Sequence, residues 1–114
     1  MSKNDLLDAK AVDEARSTFR EKFATITRYF FEDGLAYIHA IREAIRAGNI
    51  SAIVMPAHSL RSSGSQMGTP KVFELSKEIE TAARENSNGS VWFAAKLVEL
   101  EQAFTETKAA YPQD

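Results

Sequence analysis

Apolar residues recur along this chain at intervals of three, four and seven, and nowhere do apolar and polar residues alternate long enough to mark a strand. The spacing predicts helices. Leu6, Leu7 and Val12 mark a short first helix over residues 5–17. Phe19, Phe23, Ile26, Phe30, Tyr37, Ile41 and Ile45 mark a long one over residues 18–47, with Asp33-Gly34 in its middle as a place to kink or split. Gly48 then suits a helix C-terminus and Asn49 an N-cap. Ile53, Ala57, Leu60, Gly64 and Met67 predict a helix over residues 50–67, closed by Gly68. Thr69 and Pro70 read as the N-cap and first residue of another, which carries Val72, Leu75, Ile79, Ala82 and Ala83 on one side. Residues 85–90, ENSNGS, form a loop. Phe93, Leu97, Leu100 and Phe104 define a last helix over residues 91–109, and Tyr111, Pro112, Gln113 and Asp114 read as a frayed tail.

Connections this short make successive helices antiparallel. The expected fold class is all-α: an antiparallel up-down four-helix bundle with an additional short N-terminal helix laid over one end. Residues 1–114 are expected to form a single domain, a size at which one core suffices. Seven Phe, three Tyr and one Trp supply much of its bulk.

Composition narrows the function. A formal net charge of −2 gives no basic surplus for a nucleic-acid partner. The absence of cysteine removes a disulfide framework, a thiolate zinc site and a cysteine nucleophile together. VWFAA, residues 91–95, is among the longest apolar runs and is far too short to span a bilayer. The N-terminus lacks the apolar stretch of a signal peptide. A cytoplasmic, monomeric protein without a membrane partner is expected, free-standing on the strength of its Met1 start and its lack of linker composition.

One stretch departs from ordinary helix composition. AHSLRSSGSQMG, residues 57–68, surrounds a histidine with serines and glycines, which are poor interior helix formers. On the predicted helix Ala57 faces the core, so His58 lies about 100° round, on the shoulder, with its ring free to reach water. Met55, Arg61 and Ser62 lie one turn away, and Ser51 and Ser65 two turns away. Small residues there leave room for another protein's surface to approach the imidazole. A neutral imidazole is a competent nucleophile near neutral pH, and the planar guanidinium of Arg61 suits phosphate oxygens. Pro56, inside the predicted helix, implies a kink just before His58. His39, by contrast, follows core-facing Ile38 with Arg42 and Glu43 nearby and reads as a surface histidine.

At these residues the chain resembles a histidine-containing phosphotransfer (HPt) domain. The family pattern runs His, any residue, Leu, Lys or Arg, three small residues, then a large apolar residue and Gly. His58, Leu60, Arg61, Ser62, Ser63, Gly64, Met67 and Gly68 meet it in order, and the match continues through Val72 and Leu75 to Ile79-Glu80. Arg61 replaces the commoner Lys and keeps the charge; Ser62 stands where Gly is most usual and is still small.

The resemblance implies a covalent carrier rather than an enzyme. His58 takes a phosphoryl group from an aspartyl phosphate on a response-regulator receiver domain and passes it to another receiver, in a relay that begins at a hybrid or histidine kinase. The chain needs no cofactor of its own, because the receiver brings the Mg²⁺. Glu80 falls where the family places a polar residue against the other side of the histidine, and Arg84 matches a basic position that helps with phosphate. Ser62, Ser65 and Gln66 become candidates for contact with the partner, and Met55 with Leu6, Leu7 or Val12 for an apolar docking patch. The bland readings are that Glu80 and Arg84 form an i,i+4 surface ion pair and that the apolar candidates cap the core. The chain has no G-x-x-x-x-G-K loop and no H-E-x-x-H pair. Two rivals remain: a helical adaptor whose histidine is incidental, and a metal site built from His39, Glu43 and His58.

Overall fold

The apolar stripes end up facing one another. A computed structural model describes residues 3–112, in which six helices follow in order: α1 (Lys3–Leu6), α2 (Ala9–Phe19), α3 (Phe23–Arg46), α4 (Val54–Gln66), α5 (Pro70–Glu85) and α6 (Ser90–Ala110). Short 3₁₀ turns occupy Arg20–Lys22 and Ile50–Ile53, and there is no strand among the described residues. Helices α3 to α6 form a four-helix bundle in which each packs on the next and α6 returns to α3. Side-chain pairs fix the antiparallel sense. Phe23 stacks on Tyr111 whereas Gly34 faces Phe104, and His58 meets Glu80 whereas Gly64 faces Val72.

The predicted stripes of α4, α5 and α6 are buried, as are Phe23, Phe30 and Ile41 of α3. Phe31 joins them, in edge-to-face contact with Phe30, Phe104 and Tyr111. Aromatic rings meeting in this way contribute packing beyond their buried area.

The boundaries differ from the sequence reading where polar side chains or glycine intervene. The predicted first helix is broken after Leu6. Asp8 starts α2, accepting from the Ala11 N–H at 3.2 Å, while its own N–H donates to the Gly68 carbonyl at 2.9 Å. The long helix begins at Phe23 rather than residue 18, because Arg20 at φ 52° ends α2 and turns the chain. From Phe23, α3 runs unbroken through Asp33 and Gly34. Gly34 marks a close approach: a Cβ there would lie 2.5 Å from Cε2 and Cζ of Phe104.

The helix expected from residue 50 opens as a 3₁₀ turn, and α4 starts only at Val54. Pro56 therefore falls in the first turn, where a backbone N–H has no intrahelical acceptor to lose, so it belongs to the helix start rather than to a kink. Gly48 and Gly68 take positive φ at the helix ends, as their positions predict. Pro70 opens α5 with Thr69 at the N-cap position, as expected, but the Thr69 side chain makes no capping hydrogen bond. Its hydroxyl and its N–H both donate to the Gly64 carbonyl at 3.0 Å, closing α4 instead. Tyr111 is not frayed: it is 2% exposed and its hydroxyl donates to the Met67 carbonyl at 2.6 Å. Met1, Gln113 and Asp114 lie outside the described residues.

Candidate functional site

Ala57, Leu60 and Gly64 anchor α4 in the core, and that rotation puts His58 at the surface with its side chain 48% exposed. On α5 the neighbouring stripe of Leu75, Ile79 and Ala83 holds that helix down, and Glu80, next to Ile79, points at α4 from beneath. The Glu80 side chain is 3% exposed. Its Oε2 lies 3.0 Å from His58 Nδ1 and accepts from Arg84 Nε at 2.8 Å; its Oε1 accepts from Arg61 Nη1 at 3.2 Å. A buried carboxylate thus gathers three donors from two helices.

The electrostatics follow. Burial by itself pushes the Glu80 carboxyl up, but the hydrogen bonds from Arg84, Arg61 and His58 together outweigh it and hold the group below the ordinary carboxylate range. Glu80 is therefore ionised at neutral pH and can only accept. His58 Nδ1 must then carry the proton it donates, and in the neutral ring the lone pair lies on Nε2. Each guanidinium offers five N–H donors, so Arg61 and Arg84 keep donors beyond those spent on Glu80. The result is a half-exposed imidazole whose carboxylate partner also holds two guanidinium groups, an arrangement suited to holding an anionic group on nitrogen.

The family model for the Hpt domain matches residues 25–110, a span that takes in all but the first two residues of α3, the whole of α4 to α6 and all four of these side chains. The chain belongs to the Hpt domain family. Hpt domains are phosphorelay intermediates, phosphoryl carriers without catalysis of their own, and they partner receiver and histidine kinase domains. In fold this Hpt domain is similar to the crystal structure of histidine-containing phosphotransfer protein B (HptB) from Pseudomonas aeruginosa PAO1. That likeness has a TM-score of 0.85 at 21% identity and covers 90% of this chain and 88% of that chain. No curated protein matches the chain.

The fold brings His58, Arg61, Glu80 and Arg84 together. Ser62, Ser65 and Gln66 are exposed on α4, and Met55 is 64% exposed one turn before His58. The apolar patch expected from the N-terminal segment is largely absent. Leu6 and Val12 are buried, and Leu7 is half-buried against the core, because α1 folds back over α6 and α5 while α2 lies on α3 with Val12 against Gly68. His39, Glu43 and His58 are not assembled into a metal site: among the described residues no three metal-ligating side chains converge. No helix among them is long and apolar enough to cross a membrane.

One neighbour escaped the sequence reading. Phe73, half-buried on α5, lies with its ring centroid 6.0 Å from Cζ of Arg61. Its spacing of seven from Glu80 places both on one face of α5, a signal present in the sequence but hidden by reading only the core stripe.

Proposed function

We propose that this Hpt domain carries its phosphoryl group on Nε2 of His58, with residues 1–114 acting as one domain. The single observation that supports this most is the Nδ1–Glu80 hydrogen bond at 3.0 Å on a half-exposed ring. Nδ1 donates this bond to the carboxylate, which leaves the outward Nε2 free to attack.

The transfer runs as a displacement at phosphorus. The Nε2 lone pair attacks the phosphorus of a receiver's aspartyl phosphate, an N–P bond forms, and the P–O bond to the aspartate breaks with its electron pair returning to the carboxylate. The proton stays on Nδ1, and the Glu80 carboxylate that accepts from it balances the positive charge that develops on the ring. Arg61 and Arg84 offset charge on the phosphoryl oxygens. The receiver contributes the aspartate and its bound Mg²⁺. In the reverse step a receiver aspartate attacks phosphorus and the N–P electron pair returns to Nε2. Met55, Ser62, Ser65 and Gln66 form the near rim on which the receiver sits, and the two serines leave room for its acidic pocket to reach the ring. A histidine or hybrid kinase feeds the relay, and the working location is the cytoplasm.

Incubation with a phosphorylated receiver tests this. The wild-type chain gains phosphate that is labile to acid and stable to base, and His58→Gln gains none. Labelling of His58→Gln to the wild-type level would place the acceptor elsewhere, and no labelling of either protein would favour a non-transferring adaptor.

A further inference from the structure

The face that α5 turns toward α4 holds more than Glu80 and Arg84. Phe73, Lys77, Glu80 and Arg84 stand at i, i+4, i+7 and i+11, so one side of the helix carries all four. Phe73 begins the series at the level of Gly64, where an added Cβ would lie 3.4 Å from the Phe73 backbone nitrogen. Its ring is shared by two cations: Cζ of Arg61 and Nζ of Lys77 each lie 6.0 Å from the centroid. Arg61 is therefore held from two sides, by Glu80 Oε1 at 3.2 Å and by this ring. Gathering two like charges on one ring works against stability, but it suits a surface that must receive an anion.

We propose that Phe73 is a positioning residue for phosphoryl transfer. The ring face holds the Arg61 guanidinium one turn from His58, so that its uncommitted N–H donors are already in place when the phosphoryl group arrives, and Lys77 adds a second cation on the same support. Phe73 acts through Arg61, not on the reacting atoms. The inference rests on the carrier reading of His58.

Single-turnover transfer from a phosphorylated receiver tests it, with melting curves run alongside. Phe73→Leu keeps an apolar side chain and loses the aromatic face, Phe73→Met does the same if the leucine variant unfolds, and Phe73→Tyr keeps the face. Cation–π contacts at half-exposed sites predict that Phe73→Leu slows transfer about two- to fivefold, with its melting midpoint nearly unchanged. Phe73→Tyr should transfer at the wild-type rate. In an Arg61→Ala background the leucine substitution should add a smaller loss than in the wild type, because the main group it positions is gone and only Lys77 remains on the ring. A wild-type rate for Phe73→Leu, or an undiminished further loss in the Arg61→Ala background, overturns the positioning role while leaving the carrier reading intact. Failure of the wild-type chain to take phosphate, or labelling of His58→Gln, removes both.

Discussion

Glu80 accepts from three side chains at once, and replacing it separates its contribution to stability from its contribution to chemistry. Glu80→Gln keeps the shape but loses the negative charge, so at pH 7 the variant should be less stable by about 1.5–3 kcal/mol, the range for hydrogen bonds to charged groups. The pH dependence has a defined sign. The folded-state pKa lies below the ordinary carboxylate value, so the stabilisation is fully present above that ordinary value and is lost as pH falls through it toward the folded-state pKa. Denaturant melts of both proteins at pH 7 and pH 3 should therefore show a gap that narrows on acidification. A constant gap would mean that the charge of Glu80 is not what stabilises the fold. The spacing of Glu80 to Arg84 admits a simple surface ion pair, and only burial distinguishes the carboxylate found here. A one-dimensional pattern does not say how deep a shoulder position sits once two helices have closed on it.

At the scale of the element, α3 and α4 show how the same residue type answers to different demands. Gly34 sits in mid-helix where it weakens the helix intrinsically, and the sequence reading takes it as a bend. Its cause is the ring of Phe104 from α6, which occupies the space of a side chain. Gly34→Ala should raise helix propensity yet destabilise the protein by about 1–3 kcal/mol through overpacking, because Phe104 is itself wedged against Phe30 and Phe31. A thermal melt checks this, and a rise in midpoint would show that the ring gives way. Pro56 teaches the converse. It reads as a kink when the helix is taken to begin at residue 50, but as an ordinary first-turn proline once α4 begins at Val54. Both misreadings come from boundaries, which depend on what the neighbouring helix leaves room for.

At the scale of the whole molecule, Tyr111 ties the end of α6 to α3 and to the close of the helix that carries the site. Its ring lies against Phe23 and Phe31, and its hydroxyl donates to Met67 at the close of α4. Burial pushes the phenol up to about 12, more than the nearby charge of Arg16 draws it down. A phenol with a raised folded-state pKa contributes its stability fully below the ordinary value of 10.0 and loses it as pH rises through about 12. Tyr111→Phe leaves the Met67 carbonyl buried without this donor, so it should cost about 1–3 kcal/mol at pH 8. Its melting midpoint should converge with that of the wild type as pH approaches 12. Parallel curves across that range would show that the hydroxyl contributes nothing through its proton.

Periodicity was enough for the four bundle helices, their antiparallel order and the outward turn of His58, because each depends only on 3.6 residues per turn and on short connections. The pattern from His58 to Gly68 was likewise enough for the family resemblance, since its small residues and its cation are local in the chain. Three matters waited for the packed molecule: the burial of Glu80, the capture of Arg61 between Glu80 and Phe73, and the anchoring of Tyr111. Each joins residues from different helices, separated by 19, 12 and 44 positions for Arg61–Glu80, Arg61–Phe73 and Tyr111–Met67. Contacts of that kind are set by the distance and rotation between helices, which no repeat along a single helix encodes.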